Sequence, residues 1–301
     1  THLFAVAGHC QCEYFNAGGK KLKPFKTLIT GFLICSWVNY SLAAPERVVA
    51  IGGALTETIY ALGAEKLLVG NDTTSYYPPA ANELPKVGYQ RALSAEGILS
   101  LSPDLVILTD DAGPPAVLKQ LSHAGVELLK VPAGRDFSDV RNTILRIANA
   151  IDYKANSSAL IAKLETQMRA LDASIAEQTN KKNVVFVLQH SGGAPLVAGA
   201  NTSADSMIHL SGADNVVSAY SGYKPLTPEA LIALQPDVIL VTSQGLQQTG
   251  GLEQLLKIPG LAFTPAAQSG HVIAMDALLL LGFGPRSAEA AWQLNQDYQQ
   301  L

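Results

Sequence analysis

The sequence predicts an α/β fold of two lobes with mainly parallel sheets, joined by one long α-helix. Three observations predict this fold. Short apolar segments alternate with helical patterns from residue 45 onward, a motif occurs twice at an offset of 133 residues, and a long amphipathic segment lies between the two copies. Near-continuous runs of Val, Ile and Leu separated by helices are typical of parallel sheets that are covered on both faces.

The composition is that of a globular protein with a large core. The chain has 301 residues, of which 48% are hydrophobic and 15% are charged, and this balance excludes an intrinsically disordered chain. No apolar run reaches the roughly 18 residues that a membrane-spanning helix needs. The formal net charge is −4 and no basic run follows residue 26, which argues against nucleic acid as a partner.

The first 44 residues are expected to lie outside the fold. Four lysines between positions 20 and 26 precede an apolar stretch at 28–38, and small residues follow at Ser41, Ala43 and Ala44. This order predicts a secretory signal peptide cleaved between Ala43 and Ala44, behind an upstream extension at 1–19. A short buried helix is the alternative. All three cysteines lie before residue 44, so the remaining chain has no disulfide framework and no thiolate metal site.

Strands and helices alternate in the rest of the chain. The patterns divide it into an N-terminal lobe at 45–152, a connecting helix at 153–182 and a C-terminal lobe at 183–301. Continuous apolar runs predict buried strands at 48–52, 104–108, 126–131, 184–189, 237–242 and 271–276. Apolar spacing and start signals predict helices at 56–62, 94–101 and 115–123.

The connecting helix is predicted from the segment 156–180. Its apolar residues follow one another at spacings of four, four, three and four, which places them on one helix face: Leu160, Leu164, Met168, Leu171 and Ile175. An ordinary crossover helix would show the same pattern. The length and central position of the segment favour a connector between two lobes.

An internal repeat supports two similar lobes. Segments 93–107 and 226–240 share Leu-Ser/Thr-x-Glu and, seven residues after the Glu, Pro-Asp followed by apolar residues. A Gly-Tyr pair precedes each copy, at 88–89 and 222–223. Two similar helix starts would explain the first four residues of the motif, but they would not explain the Gly-Tyr pairs.

Each copy of the motif contains the start of a predicted helix. Ser94 and Thr227 suit the N-cap position, where a side-chain oxygen accepts a hydrogen bond from the first turn. Glu96 and Glu229 then fall in that first turn, where a carboxylate interacts favourably with the helix dipole.

Sequence motifs for catalysis are missing. The chain contains no G-x-S-x-G, no G-x-G-x-x-G and no P-loop, and the histidines after residue 44 do not have the spacing of a zinc-binding helix. His123 and His209 fall in helical patterns, and His271 begins a strand. His190 follows a predicted strand, at the carboxyl end where ligands of α/β lobes bind, so it is expected to face a cleft as a ligand or as a structural residue.

Tyr89 and Arg91 stand two positions apart in a predicted loop. An ordinary phenol has a pKa near 10 and is protonated at neutral pH, but a nearby arginine and a ferric ion on the oxygen both favour the phenolate. Tyrosine is also an axial ligand of haem iron in some proteins. An aromatic residue at the cleft rim, with its hydroxyl in water, is the alternative role.

The segment 88–106 contains Gly-Tyr-Gln-Arg-Ala-Leu-Ser-Ala-Glu and, further on, Pro-Asp-Leu-Val. These motifs closely resemble those of the haem-binding proteins of Gram-negative haem-uptake ABC transporters. Asn-Thr at 201–202, Gly-Tyr-Lys-Pro-Leu at 222–226 and Leu-Gly-Phe-Gly-Pro-Arg at 281–286 resemble the same family. The resemblance extends from Pro45 to the C-terminus. Cobalamin and siderophore binders share the general pattern, whereas the Gly-Tyr-x-Arg and Leu-Gly-Phe-Gly-Pro-Arg stretches are more particular to the haem branch.

This resemblance implies the class III periplasmic binding protein fold, in which a helical backbone bridges two α/β lobes. It implies that ferric haem lies in the cleft between the lobes with its iron bound by Tyr89, while Arg91 contacts the phenolate or a propionate. Some members add a histidine from the second lobe and a second stacked haem, so His190 is the expected second iron ligand and the chain is expected to bind one or two haems. Tyr223, Lys224 and Arg286 are implied as further propionate or rim contacts.

The resemblance also implies partners. Glu96 and Glu229 match the paired glutamates, one on each lobe, that dock onto a permease dimer in the inner membrane; a purely helix-stabilising role is the alternative. The protein is therefore expected in the periplasm, downstream of an outer-membrane haem receptor system, and it is not expected to be an enzyme. A ferric-siderophore or cobalamin binding protein of the same fold is the nearer alternative, and an exported α/β enzyme is the more distant one.

Overall fold

The computed structural model describes residues 44–188 and 196–301. The predicted signal peptide, with the extension before it, and His190 lie outside the described residues, so they stay predictions. Residues Ala43–Leu301 form one compact unit. Over the two described ranges, no helix is both long enough and apolar enough to cross a membrane.

The N-terminal part of the chain builds one parallel sheet with helices on both faces. Its elements are β1 (Val48–Ile51), α1 (Gly53–Ala61), β2 (Leu68–Asn71), β3 (Gly88–Tyr89), β4 (Ala92–Leu93), α2 (Ala95–Leu99), β5 (Leu105–Thr109), α3 (Pro115–His123), β6 (Glu127–Val131) and α4 (Phe137–Ala150). The sheet has the order β2-β1-β5-β6 and is parallel throughout.

Burial on both faces explains the continuous apolar strands. All four residues of β1 are fully buried. Val48 and Ala50 pack into one hydrophobic cluster, and Val49 and Ile51 into another on the opposite face. Side chains of a strand alternate between faces, so a strand covered on both sides must be apolar at every position.

The connecting helix is α5 (Lys154–Ala176), 23 residues long. It begins two residues before the predicted segment and ends four residues before its predicted end. Leu164 and Leu171 of the predicted stripe are buried, and the helix packs against α4. Leu160, Met168 and Ile175 are partly buried against the same core, which confirms the predicted apolar face.

The C-terminal part builds a second sheet. Its elements are β7 (Asn183–Leu188), β8 (Leu196–Ala198), α6 (Ser203–Leu210), β9 (Asp214–Asn215), β10 (Tyr223–Pro225), α7 (Pro228–Ala233), β11 (Val238–Thr242), α8 (Ser243–Thr249), α9 (Leu252–Leu255), α10 (Pro265–Ser269), β12 (Val272–Met275), α11 (Ala277–Leu281) and α12 (Ser287–Gln300). The central strands β7, β11 and β12 run parallel, whereas β8 is antiparallel to both of its neighbours, β7 and β10. The predicted fold, two mainly parallel lobes with one long helix between them, is confirmed.

The Pro-Asp part of the repeat has the same structural role in both lobes. Asp104 accepts a hydrogen bond from the Arg47 amide (3.0 Å), and Asp237 accepts one from the Asn183 amide (2.8 Å). In each lobe this bond joins the start of the strand after Pro-Asp to the start of the lobe's first strand. The two lobes therefore repeat one supersecondary pattern, and equivalent loops lie at equivalent strand ends.

Polar contacts around Glu57 and Tyr76 join the lobes directly. The Nε and Nη2 atoms of Arg286 each donate a 2.9 Å hydrogen bond to the Glu57 carboxylate. Burial raises the pKa of Glu57, although the arginine opposes that effect. The Tyr76 hydroxyl donates to Asp276 at 2.9 Å, and the Leu278 amide donates to the Tyr76 oxygen at 2.9 Å.

Close packing accompanies these polar contacts. A Cβ atom added at Gly53, in the first turn of α1, would lie 2.6 Å from a Leu278 methyl group of the other lobe and 2.6 Å from the Thr74 carbonyl oxygen. No side chain fits in that space, so glycine is required for α1 and α11 to approach so closely.

Candidate functional site

A cleft of about 760 Å³ lies between the two lobes. That volume is in the range of small-molecule binding sites. Its walls include residues 52–55 after β1, Thr109 at the end of β5, residues 132–135 after β6, Leu188 at the end of β7 and residues 277–278 after β12. These positions are the carboxyl ends of parallel strands, where the ligands of open α/β sheets bind.

Tyr89 lines the cleft from the tip of a small hairpin. Strands β3 and β4 pair Tyr89 with Ala92, so Gln90 and Arg91 form the turn. Gly88 begins the hairpin with a φ of 104°, a conformation that favours glycine. The Tyr89 side chain is accessible, with 43% of its surface exposed.

Arg91 contacts Tyr89 and a carboxylate at the same time. Its Nη1 atom donates a 2.6 Å hydrogen bond to the Tyr89 phenol oxygen, while Nη2 forms a salt bridge with Asp111, which follows β5. Burial lowers the pKa of Arg91, but the hydrogen bond to Tyr89 and the charge of Asp111 outweigh it, so the guanidinium stays protonated. The Arg91 guanidinium therefore places a positive charge directly beside the Tyr89 oxygen.

Tyr223, the equivalent residue of the second Gly-Tyr pair, lines the cleft from the other lobe. Its ring packs edge-on against Phe186, with 6.3 Å between the ring centroids. Burial raises the pKa of Tyr223, although the Thr202 hydroxyl and the charge of Arg135 act in the opposite direction. The repeat thus brings one exposed phenol and one half-buried phenol into a single cleft.

Lys224 and Arg286 are not brought into the cleft. Side chains alternate along β10, so Lys224 faces away from Tyr223, and its ammonium lies 5.1 Å from the centroid of the Tyr220 ring. The Arg286 guanidinium is bound to Glu57 and stacks 3.4 Å from the centroid of the Tyr77 ring. The two side chains that were expected to contact a ligand carboxylate therefore contact other protein groups.

Glu96 and Glu229 lie outside the cleft, exposed in the first turns of α2 and α7. The predicted N-caps are confirmed, since Ser94 accepts a hydrogen bond from the Gly97 amide and Thr227 accepts one from the Ala230 amide, each at 3.3 Å. Both glutamates are accessible to a partner, one from each lobe.

Asp111 and Arg135 also line the cleft and were not predicted from the sequence. Asp111 follows a predicted strand in the same way as His190, and Arg135 follows the next one. The rule that selected His190 would have selected both residues, since each stands just after a strand's carboxyl end.

Two solved structures show how this chain compares with known folds. Periplasmic heme-binding protein RhuT from Roseiflexus sp. RS-1, in apo form, is 41% identical with a TM-score of 0.82, over 85% of this chain and 98% of that one. Periplasmic heme-binding protein BhuT in complex with two hemes is 44% identical with a TM-score of 0.81, over 84% of this chain and 98% of that one.

Curated relatives are more distant. An uncharacterized ABC transporter substrate-binding lipoprotein of Bacillus subtilis (strain 168), YvrC, is 27% identical over 84% of this chain and 80% of its own length. A vitamin B12-binding protein of Vibrio vulnificus (strain CMCP6) is 26% identical over 92% of this chain and 98% of its own length. A family model described as periplasmic binding protein matches residues 48–279, and the chain belongs to that family.

Proposed function

We propose that the protein captures ferric haem in the cleft between its lobes and delivers it to an inner-membrane ABC transporter. The observation that carries the proposal is the Tyr89–Arg91 pair. An accessible phenol whose oxygen accepts a 2.6 Å hydrogen bond from a guanidinium offers an oxygen ligand to a ferric ion.

The remaining walls of the cleft suit a flat macrocycle with carboxylates at one edge. Apolar side chains line part of it: Leu188, Leu278, Leu281 and Phe283. A porphyrin would cover this apolar surface, while its propionates would meet the cationic residues of the cleft. The resemblance of the Gly-Tyr-x-Arg stretch and the likeness to two heme-binding proteins at over 40% identity support the same ligand.

One or two haems bind per chain under this proposal. BhuT is described with two hemes, which supports the higher number. His190, which lies outside the described residues, is the proposed second iron ligand. Tyr223 is proposed to contact the haem edge, since its ring lines the cleft.

Delivery requires a permease, and we assign its docking contacts to Glu96 and Glu229. Their exposure on equivalent helices of the two lobes supports this role. A two-fold permease dimer would receive one carboxylate on each subunit. Under the proposal the protein acts in the periplasm after removal of its signal peptide, downstream of an outer-membrane haem receptor system, and it catalyses no reaction.

Cobalamin is the second candidate ligand, because vitamin B12-binding proteins are among the relatives. The cobalt of a cobalamin has axial ligands of its own and has no need of a phenolate, whereas the iron of haemin has an axial position that a phenolate can take. The position of Arg91 on the Tyr89 oxygen therefore favours haem over cobalamin.

Parallel titrations with three ligands test the proposed function. The purified protein is titrated separately with haemin, cyanocobalamin and a ferric hydroxamate siderophore, and binding is followed by absorption and by tryptophan fluorescence. Haemin is expected to saturate at one or two equivalents with a shift of its Soret band. Saturation by cyanocobalamin or by the siderophore, with no shift on haemin addition, would overturn the proposal.

A further inference from the structure

The cations that a ligand carboxylate was expected to meet have protein partners. Arg91 is bound to Tyr89 and Asp111, and Arg286 is bound to Glu57. Lys224 lies against the Tyr220 ring on the other face of β10. A ligand with free carboxylates therefore needs another cation.

Arg135 is that cation. It lies between β6 and α4, exposed on the wall of the cleft. Among the side chains that the structure describes, none accepts a hydrogen bond from its guanidinium and no carboxylate forms a salt bridge with it. Arg91 and Asp111 neutralise each other, so the charge of Arg135 is the unbalanced one on the described walls.

The backbone around Arg135 is held in place by short contacts. The Ala133 amide donates to the Asp110 carboxylate at 3.2 Å, and the Arg135 amide donates to the Asp139 carboxylate at 3.0 Å. A Cβ atom added at Gly134 would lie 3.4 Å from the Cβ of Phe283, so this segment also touches the other lobe. The guanidinium thus extends into the cleft from a fixed backbone.

Arg135 and Tyr223 line the same cleft, one from each lobe. Tyr89 and Arg91 lie on the hairpin of the first lobe. If a macrocycle is bound through Tyr89, its edge can therefore contact a second polar region of the cleft, at Arg135.

We propose that Arg135 binds a carboxylate of the ligand and selects macrocycles that carry free carboxylates. This inference rests on the proposed function and names a residue for it. A guanidinium can pair with a carboxylate through two parallel N–H···O hydrogen bonds, and such pairs are stronger than neutral hydrogen bonds. A corrinoid whose side chains are amides offers no such partner.

The test compares two ligands and two variants. Haemin and its dimethyl ester have the same ring and iron, but the ester has no free carboxylate. Arg135→Gln removes the charge, and Arg141→Gln is the matched control, because Arg141 is an exposed arginine on α4 that does not line the cleft. Far-UV circular dichroism checks that each variant is folded.

We expect Arg135→Gln to weaken haemin binding about 20-fold and to leave ester binding unchanged, in line with the loss of a hydrogen-bonded charge pair. Arg135→Lys should recover part of the loss, and Arg141→Gln should behave like the wild type. Equal effects on both ligands, or no effect on haemin, would overturn the role of Arg135 while leaving haem capture intact. A wild-type protein that binds no haemin would overturn both.

Discussion

The Nη1 atom of Arg91 lies 2.6 Å from the phenol oxygen of Tyr89, across the turn of a hairpin whose strands are two residues each. The turn fixes this pair locally, because Tyr89 pairs with Ala92 and Arg91 stands between them. The Gln90 carbonyl accepts a 2.9 Å hydrogen bond from the Gly113 amide, which ties the turn to the loop after β5. The local backbone thus holds the two side chains together.

Replacing Arg91 tests how much its hydrogen bond to Tyr89 contributes to the affinity for ferric haem. Arg91→Met keeps much of the side-chain volume and removes the N–H donors, so the phenolate on iron loses a charge-assisted hydrogen bond. We expect ferric haem affinity to fall roughly 30-fold, measured by haemin titration. Arg91→Lys retains the positive charge but lacks the planar guanidinium, so its affinity for ferric haem should fall less. An unchanged affinity in Arg91→Met would show that the contact contributes nothing to binding.

The Glu57–Arg286 pair is expected to stabilise the fold rather than to bind ligand. The two side chains are only 6% and 19% exposed, and breaking such a pair leaves a charge without its partner. Glu57→Gln should therefore lower the free energy of unfolding in urea by roughly 3 kcal/mol. Glu253→Gln is the control, since Glu253 is 82% exposed and its pair with Lys257 should contribute under about 1 kcal/mol. Equal losses in the two variants would contradict the interlobe role.

The Asp276 carboxylate should make the free energy of unfolding depend on pH in the acid range. Burial raises its pKa, but the Leu279 amide, Gln244 and Tyr76 lower it more, so the folded pKa lies below the usual 3.8. Its contribution to the free energy of unfolding is therefore complete above the pKa of the unfolded state and is lost as the pH falls through the pKa of the folded state. Asp276→Asn should lower the free energy of unfolding by about 2 kcal/mol at pH 6, and by much less near pH 3.

Chemical denaturation between pH 3 and pH 7 measures this difference. Asp172→Asn is the matched control, because Asp172 is exposed on α5. A difference between wild type and Asp276→Asn that stays constant across the pH range would contradict the assignment.

Charge reversal at the two helix starts separates docking from ligand capture. The double variant Glu96→Lys/Glu229→Lys should bind haemin with an affinity within about twofold of the wild type, because neither side chain lines the cleft. It should abolish the stimulation of ATP hydrolysis by the reconstituted transporter. Glu177→Lys, an exposed site at the end of α5, should preserve stimulation. If the double variant still stimulates the transporter, the docking contacts lie elsewhere.

The parallel core was predictable because burial on two faces leaves a strong pattern. The predicted helix at 115–123 coincides with α3 (Pro115–His123), and the predicted strand at 237–242 differs from β11 (Val238–Thr242) by one residue. Short or half-exposed elements were missed. Strand β2 (Leu68–Asn71) has only two apolar residues before Gly70 and Asn71, and β8 and β10 have three residues each, too few for an alternating pattern to be visible.

Helix α4 (Phe137–Ala150) was not predicted, although the sequence carries a start signal for it. Asp136 caps it by accepting a hydrogen bond from the Asp139 amide, and buried apolar residues recur at helical spacing behind it: Val140, Ile144 and Ile147. Both signals are present in the sequence, so α4 could have been predicted without knowledge of the tertiary structure.

The site was only partly predictable. Tyr89 and Arg91 meet through a local turn, which a sequence motif can encode. Arg286 meets Glu57 across 229 positions, and no local pattern specifies such a partner. Lys224 was expected to share the surroundings of Tyr223, but adjacent strand residues face opposite sides. His190 stays a prediction.

The absorption spectrum of the ferric haem complex, compared between the wild type and Tyr89→Phe, reports whether the Tyr89 oxygen binds the iron. Phenylalanine keeps the ring and removes the oxygen alone. Tyr60→Phe is the control, because Tyr60 does not line the cleft. We predict that the wild type and the control give a high-spin ferric spectrum, and that Tyr89→Phe loses it or binds haemin far more weakly. An unchanged spectrum and affinity in Tyr89→Phe would contradict the assignment of Tyr89 as the iron ligand.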